Sequence, residues 1–387
     1  MQIWNLKRKE IANRDAIVII NQDSGYLIID LANAYILAGF DVTLISGRLV
    51  QRDKALDKGV KLKKIICYNR NSTFKRLATW LIATLQIVFL ICFRYQNNKL
   101  LIFSNPPFLP LVPLLFKNPF SIVIYDVFPD AYIEAGVLSN KSIVAKIWRR
   151  ANLKSYAKAD NIFTITEGMK IILSQYADAS RIEVVPVWTN NKFFKPIPQL
   201  ENKFIAQYGL QGKFIVLYSG NLGTLNDVEV LIEIASRINC ENAFFIIIGK
   251  GVKYSQIVKK VESKMLNNFL ILPWQEASEL PYTFAAASLA VVAIGKSVSK
   301  IGIPSKVYNF MSVGAPILGL ASEGSDLEIL VNKHQLGKCF EPENQQDILE
   351  FIQYMIENKV YCNELHENSL KASTHFTEKN VYQFIGK

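Results

Sequence analysis

The chain has 387 residues, half of them hydrophobic, and a net charge of +11. That length, with so much apolar material, predicts two domains with ample cores. The five cysteines (Cys67, Cys92, Cys240, Cys339 and Cys362) are scattered without a Cys-x-x-Cys pair, so neither a zinc site nor a disulfide framework is indicated. Buried thiols in a reducing cytosol are the simplest reading of them. The three histidines, His334, His366 and His375, lie near the C-terminus, which excludes a histidine-based triad or metal cluster in the first half. Met1–Arg14 is charged and lacks an apolar stretch, so no secretory signal is expected there.

The charge is unevenly placed. From Asp57 to Asp126 no acidic residue intervenes, and the interval carries ten basic ones, including Lys75, Arg76 and Arg94. These flank apolar stretches rather than aromatic stacking platforms. An anionic membrane surface therefore fits better than nucleic acid.

In chain order, Ala16–Ile20 is a strand, Asn21–Gly25 a loop, Tyr26–Ala38 an amphipathic helix closed by Gly39, and Asp41–Ile45 the next strand. This opens a parallel α/β domain, with a further strand at Lys64–Cys67. Leu77–Phe93 then runs seventeen residues without a charge. As a helix it would be about 26 Å long, short for a bilayer core of about 30 Å. A buried helix, a helix in the membrane interface and a span compete. A mixture is preferred, with one face packed on the domain and the other on lipid, since the flanking cations can reach headgroups.

Leu100–Phe103 is a strand ending in Ser104-Asn-Pro-Pro-Phe108, where open α/β sheets place ligands. A second apolar run, Leu109–Phe116, follows. Ser121–Tyr125 ends in Asp126-Val-Phe-Pro-Asp130, which sets two carboxylates beyond a strand. A helix near Ser142–Ala157, a strand Asn161–Thr164, a helix from Glu167 and a strand Ile182–Val185 complete the first domain. The Pro-rich Pro186–Pro198 reads as a linker.

The pattern then restarts. Phe214–Tyr218 leads into Ser219-Gly-Asn-Leu-Gly223, followed by a helix over Asp227–Ile238. Ala243–Ile248 ends in Gly249-Lys-Gly251, and strands follow at Phe269–Leu272, Leu289–Ala293 and Pro316–Leu320. Two α/β halves with a short linker imply two doubly wound domains facing a cleft, near 1–190 and 191–370, with a tail helix in 371–387 packing back on the first.

Pro304-Ser-Lys306 opens a helix over roughly Ser305–Ser312 that ends near Gly314. A helix start with a hydroxyl and an ammonium makes an anion site, most naturally for phosphate; a capped helix with a surface lysine is the plain alternative. The loops near 220, 250 and 304 could meet on one sheet edge, each offering backbone N–H groups and two offering a lysine. No P-loop and no Gly-x-Gly-x-x-Gly fingerprint occurs.

Ser219–Gly223, Gly249–Gly251, Leu272-Pro-Trp-Gln275 and Pro304-Ser-Lys-Val-Tyr…Gly314-Ala-Pro316, in this order, resemble the C-terminal half of glycosyltransferase family 4, of the GT-B fold. The likeness is to its branch that builds bacterial O-antigen, capsule and exopolysaccharide. Asn105-Pro-Pro107 and Asp126-Val-Phe-Pro-Asp130 agree more loosely. The resemblance implies that Gly220, Asn221, Leu222 and Gly223 line a donor diphosphate, joined by Lys250 and Gly251. It implies that Pro304, Ser305 and Lys306 hold the pyrophosphate, and that Pro273 and Trp274 flank the base, unless Trp274 is a core indole. Asn309 would reach a ribose hydroxyl. Gly25, Asn105, Asp126 and Asp130 would lie on the acceptor side, with Lys306 and Asp126 in the catalytic places.

Where many members carry two glutamates, this chain has Ile301 and Asn309; where many carry a basic pair, it has Asn221 and Asn226, for which Lys250, Lys296 or Lys300 could compensate. The implied activity is a retaining, metal-independent and cofactor-free transfer of a hexosyl or N-acetylhexosaminyl group from a UDP-linked nucleotide sugar. The implied acceptor is a polyprenyl-diphosphate-linked saccharide at the cytoplasmic face of the cell membrane, where the protein sits as a peripheral or monotopic enzyme. A nucleotide-sugar epimerase and a non-catalytic partner of a sugar-assembly complex are the rival readings.

Overall fold

The structure, a computed structural model, describes residues 15–69, 71–224, 226–296, 299 and 302–385. Met1–Arg14, where no secretory signal is expected, lies outside the described residues. The chain divides into two units, Met1–Pro186 with Lys379–Lys387, and Val187–Glu378. The division falls slightly before the expected 190. Residues 371–378 stay with the second unit, because a helix over Lys359–Ser373 runs through the expected boundary. Only the last stretch returns to the first unit, where the Phe384 ring packs on Phe163 at 4.8 Å. There the Tyr35 hydroxyl donates to the Phe384 carbonyl at 2.7 Å.

The first unit is a seven-stranded parallel sheet. Its strands are β1 (Ala16–Ile20), β2 (Asp41–Ser46), β3 (Lys61–Lys64), β4 (Lys99–Phe103), β5 (Phe120–Ile124), β6 (Ile162–Thr164) and β7 (Ile182–Val184), in the order β3-β2-β1-β4-β5-β6-β7. The central strands are apolar on both faces because helices cover both sides. The order reverses between β1 and β4, the crevice where doubly wound sheets bind ligands. One strand is displaced from expectation. β3 takes the lysines and lies at the sheet edge, where none of its side chains is fully buried. Ile65 and Ile66 leave the sheet and pack beneath a long helix.

After β1, helix α1 (Tyr26–Leu37) starts at Gly25. The charge-free run becomes α2 (Thr73–Arg94), longer than expected because Ser72 caps it by accepting from the Lys75 N–H at 3.2 Å. Trp80, Ala83, Ile87 and Ile91, three or four residues apart, are buried, the last three in the core under the sheet and Trp80 stacked on Tyr68. The opposite face, with Phe74, Leu77, Leu81, Leu85, Phe89 and Phe93, is exposed. The run after β4 forms a 3-10 helix, Leu109–Leu115, punctuated by prolines. Helices α3 (Asp130–Glu134) and α4 (Ile143–Lys158) follow, and a further helix spans Glu167–Leu173 as expected.

The second unit repeats the plan with six parallel strands. They are β8 (Phe214–Asn221), β9 (Ala243–Lys250), β10 (Phe269–Leu272), β11 (Leu289–Ala293), β12 (Ile317–Leu320) and β13 (Gly337–Phe340), ordered β10-β9-β8-β11-β12-β13. The helix after β8, α5 (Val230–Arg237), starts later than expected. Residues 226–229 are spent on Lys253, whose ammonium reaches the Asn226 carbonyl at 3.1 Å, Asp227 at 3.2 Å and Glu229 at 3.0 Å. Between β11 and β12, α6 (Lys306–Ser312) is closed by Gly314 at φ +78°. A Cβ on Gly314 would stand 2.3 Å from the His366 ring, so glycine is required there twice over. None of the five thiols is fully buried, and Cys67 is exposed, contrary to expectation.

Candidate active site

The second unit brings its glycine loops together by strand register. Gly220 is paired with Gly249, and Asn221 with Lys250. The Leu222 N–H donates to the Lys250 carbonyl at 2.8 Å, and the Lys253 N–H to the Leu222 carbonyl at 3.1 Å. The glycines answer to close backbone approach. A Cβ on Gly249 would lie 2.0 Å from the Gly220 oxygen, and one on Gly251, at φ +153°, 2.3 Å from the Leu222 oxygen. Leu222 itself is a core side chain, so only its backbone belongs to the edge.

Lys306 is the centre of this edge. Its Nζ lies 3.7 Å from the centroid of the Tyr218 ring and would be 2.6 Å from a Cβ on Gly220. Among the described residues it makes no ion pair and no hydrogen bond to a side chain. Burial pulls its pKa down to about 7 from the usual 10.5. The Tyr218 ring offers a cation–π attraction that offsets part of this desolvation, and the Tyr218 hydroxyl donates to the Asn221 carbonyl at 2.7 Å. Tyr218 is the residue that sequence reasoning missed. A tyrosine ending an otherwise apolar strand was the available signal, since a buried phenol needs a partner at its tip.

The other donor-side candidates separate. Ser305 flanks the helix start without a side-chain cap hydrogen bond, and the Pro304 carbonyl accepts from Val307 at 3.0 Å. Trp274, after Pro273, is 54% exposed, which overturns the core-indole alternative; Lys250 Nζ stands 4.9 Å from its ring centroid. Asn309 turns to Thr189, whose hydroxyl donates to its Oδ1 at 2.5 Å, so its oxygen is already engaged. Asn226 donates to the Asn221 carbonyl at 2.9 Å and serves the turn. Lys296 is paired with Glu341 at 3.1 Å, which removes it as a compensating cation. Ile301 and Lys300 lie outside the described residues.

Gly220→Ala is an informative change. The new methyl meets the far end of a flexible side chain, so the fold should tolerate it while the ammonium is pushed aside. Affinity for a diphosphate-bearing ligand is expected to fall about tenfold by calorimetry, with the melting temperature within about 2 °C of the parent.

In the first unit, a recess of about 170 Å³ opens at the β1/β4 crevice, lined by Asn21, Asp23, Gly25, Tyr26, Asn105 and Asp126 among others. The Ser104 hydroxyl accepts from the Tyr125 and Asp126 N–H groups at 3.0 and 3.2 Å, which fixes the turn carrying Asp126. The Asp126 side chain is open to solvent on one side, yet burial on the other raises its pKa above the ordinary value. Among the described residues it makes no side-chain hydrogen bond or ion pair. Asp130, expected on the acceptor side, is instead engaged within the unit. It is buried, paired with Arg149 at 2.9 Å, and accepts from the Tyr176 hydroxyl, so it braces α3 and α4 rather than facing a ligand. A Cβ on Gly25 would meet nothing within 4 Å, so no close approach demands glycine there.

Two doubly wound parallel units, each with its loops gathered where the strand order reverses, define a protein of the GT-B fold. Residues 201–372, all within the second unit, match the family of glycosyl transferases group 1. The chain is 26% identical over 242 residues to WbjE of Pseudomonas aeruginosa, described as a glycosyltransferase, covering 60% of each chain. It is 26% identical over 194 residues to WcaI of Escherichia coli (strain K12), described as a colanic acid biosynthesis glycosyl transferase, covering 49% of this chain and 48% of that one. The matches thus span about 60% and about half of these relatives. Among solved structures, HepE from Anabaena in complex with UDP and glucose aligns at a TM-score of 0.70 and 15% identity, over 96% of this chain and 98% of that one.

Proposed function

We propose that the chain is a retaining, metal-independent glycosyltransferase of bacterial cell-surface polysaccharide synthesis. It moves a hexosyl or N-acetylhexosaminyl group from a UDP-linked donor to a polyprenyl-diphosphate-linked saccharide. The reading rests on one observation above the others: Lys306, a partly buried ammonium without a counter-ion among the described residues, held at an edge of glycines where a diphosphate can approach. A nucleoside diphosphate supplies the missing charge. The bond from the sugar's anomeric carbon to the diphosphate oxygen breaks, and that oxygen takes the bonding pair. Lys306 and the backbone N–H groups stabilise the charge that builds there. The acceptor hydroxyl attacks from the same face, and its proton passes to the departing phosphate. Asp126 stands in the first unit's recess as a carboxylate for the acceptor side. The match of residues 201–372 to glycosyl transferases group 1 and the likeness to a glycosyl transferase of colanic acid biosynthesis support this reading.

In this reading the protein works on the cytoplasmic surface of the membrane, where a lipid-linked acceptor resides, and the exposed apolar face of α2 supports it. Lys75, Arg76 and Arg94 at its ends suit anionic headgroups.

A panel of UDP-sugars incubated with lipid-linked acceptor, with products read by mass, tests the proposal. Addition of one sugar to the acceptor is expected, together with a UDP-dependent rise in melting temperature. UDP stabilisation without any transfer would point to a non-catalytic partner, and a changed nucleotide sugar without acceptor to an epimerase.

A further inference from the structure

Gln22 lies between Asn21 and Asp23, two residues that line the Asp126 recess. It is fully buried, at 0% exposure. Its backbone N–H donates to the Asn105 carbonyl at 2.9 Å, and its carbonyl accepts from Gly47 and Arg48 at 2.9 and 3.1 Å. Its side-chain amide donates to two further segments, the Ile66 carbonyl at 3.2 Å and the Thr79 carbonyl of α2 at 3.1 Å. One residue therefore ties three loops of the sheet edge to the long helix. The amide has only one workable orientation, since reversing it would aim an oxygen at two carbonyls.

The helix is pinned at the same place by its own rare polar groups. Thr79 accepts from the Asn69 N–H at 3.3 Å, and Gln86 from the Ile66 N–H at 2.8 Å. Packing alone does not call for glutamine here. Its Oε1 is buried without a partner among the described residues, a penalty that an apolar side chain would avoid. Buried polar groups of this kind specify an arrangement rather than add stability.

We propose that Gln22 is a positioning residue through which the seating of α2 on lipid sets the acceptor-side loops 21–25 and 104–108. This rests on the reading of α2 as a lipid-facing helix. When the exposed face of α2 settles on a membrane, the Thr79 carbonyl is held in place. The Gln22 amide carries that constraint to Asn21, Asp23 and Asn105, which line the recess beside Asp126. A lipid-linked acceptor would then meet an ordered recess only where its own membrane is present.

The test is hydrogen exchange on the full chain, with and without vesicles of phosphatidylethanolamine containing phosphatidylglycerol. In the parent, vesicles should slow exchange in α2 and, with it, by about threefold or more in 21–25 and 104–108. In Gln22→Met and Gln22→Glu, which keep the side chain's length but not its two donors, α2 should stay protected and the UDP melting shift unchanged. The loop response should be lost. Loops that respond as in the parent would overturn the proposal, as would parent loops that do not respond while α2 is protected. Absence of α2 protection in the parent would instead overturn the membrane reading, and this proposal with it. Should neither variant fold, the parent's loops decide by themselves.

Discussion

Lys306→Met is expected to lower turnover by about 100-fold or more, the scale for losing one donor that stabilises transition-state charge, and to abolish most of the UDP-dependent rise in melting temperature. Methionine keeps the length and apolar stem of lysine, so the Tyr218 contact can be retained while the charge is gone. The same change should make the ligand-free protein more stable, by about 1–2 kcal/mol after allowing for the solvent that reaches this partly buried group. The sign follows from the pKa. Lys306 sits at about 7 in the fold against 10.5 ordinarily, so between those values the unfolded chain holds a proton that the folded protein has released. The penalty is full at and below pH 7, shrinks as pH rises, and is gone above about 10.5. Melting curves of parent and variant should therefore converge as pH climbs. For the same reason UDP binding at pH 8 should draw in about one proton, seen as a dependence of the calorimetric heat on the buffer. Unchanged turnover in the variant would remove Lys306 from the site.

The second large effect concerns the membrane. Leu81, Leu85 and Phe89 form a stripe on α2, and they are 58%, 60% and 61% exposed. Changing all three to glutamate should leave the fold intact, because none belongs to the buried face of Trp80, Ala83, Ile87 and Ile91. Each replacement forfeits about 1 kcal/mol of apolar insertion, so binding to anionic vesicles should fall about 100-fold in a sedimentation assay. The parent should pellet with membranes and be released by detergent better than by salt. The UDP melting shift, a property of the second unit, should be the same in both proteins. Full recovery of the parent in the soluble fraction would defeat the reading of this face.

Much of the glycine edge around Lys306 was legible in the chain. Glycines after apolar strands mark places where backbones approach closely, and Gly249 and Gly251 do so at distances no side chain allows. The seven-residue helix beginning at Lys306 was legible for a similar reason, since Pro304 before it and Gly314 after it are local stop and start signals. Leu222 and Trp274 were harder. Their neighbours in sequence do not tell which side chain enters the core, and the structure buries the leucine and exposes the indole.

Local pattern along the chain sets the alternation of strand and helix in two repeats, the glycine loops at the strand ends, and a long apolar helix between basic flanks. These follow from periodicity and composition, which act over a few residues at a time. Which charges stand free is settled by packing. Lys253 and Lys296 look as available as Lys306 in the chain, yet Asp227, Glu229 and Glu341 neutralise the first two. Asp126 and Asp130 look alike, yet Arg149 and Tyr176 occupy the second. Such pairings join residues far apart in sequence, and a charge becomes reactive only when the fold withholds both water and a partner from it.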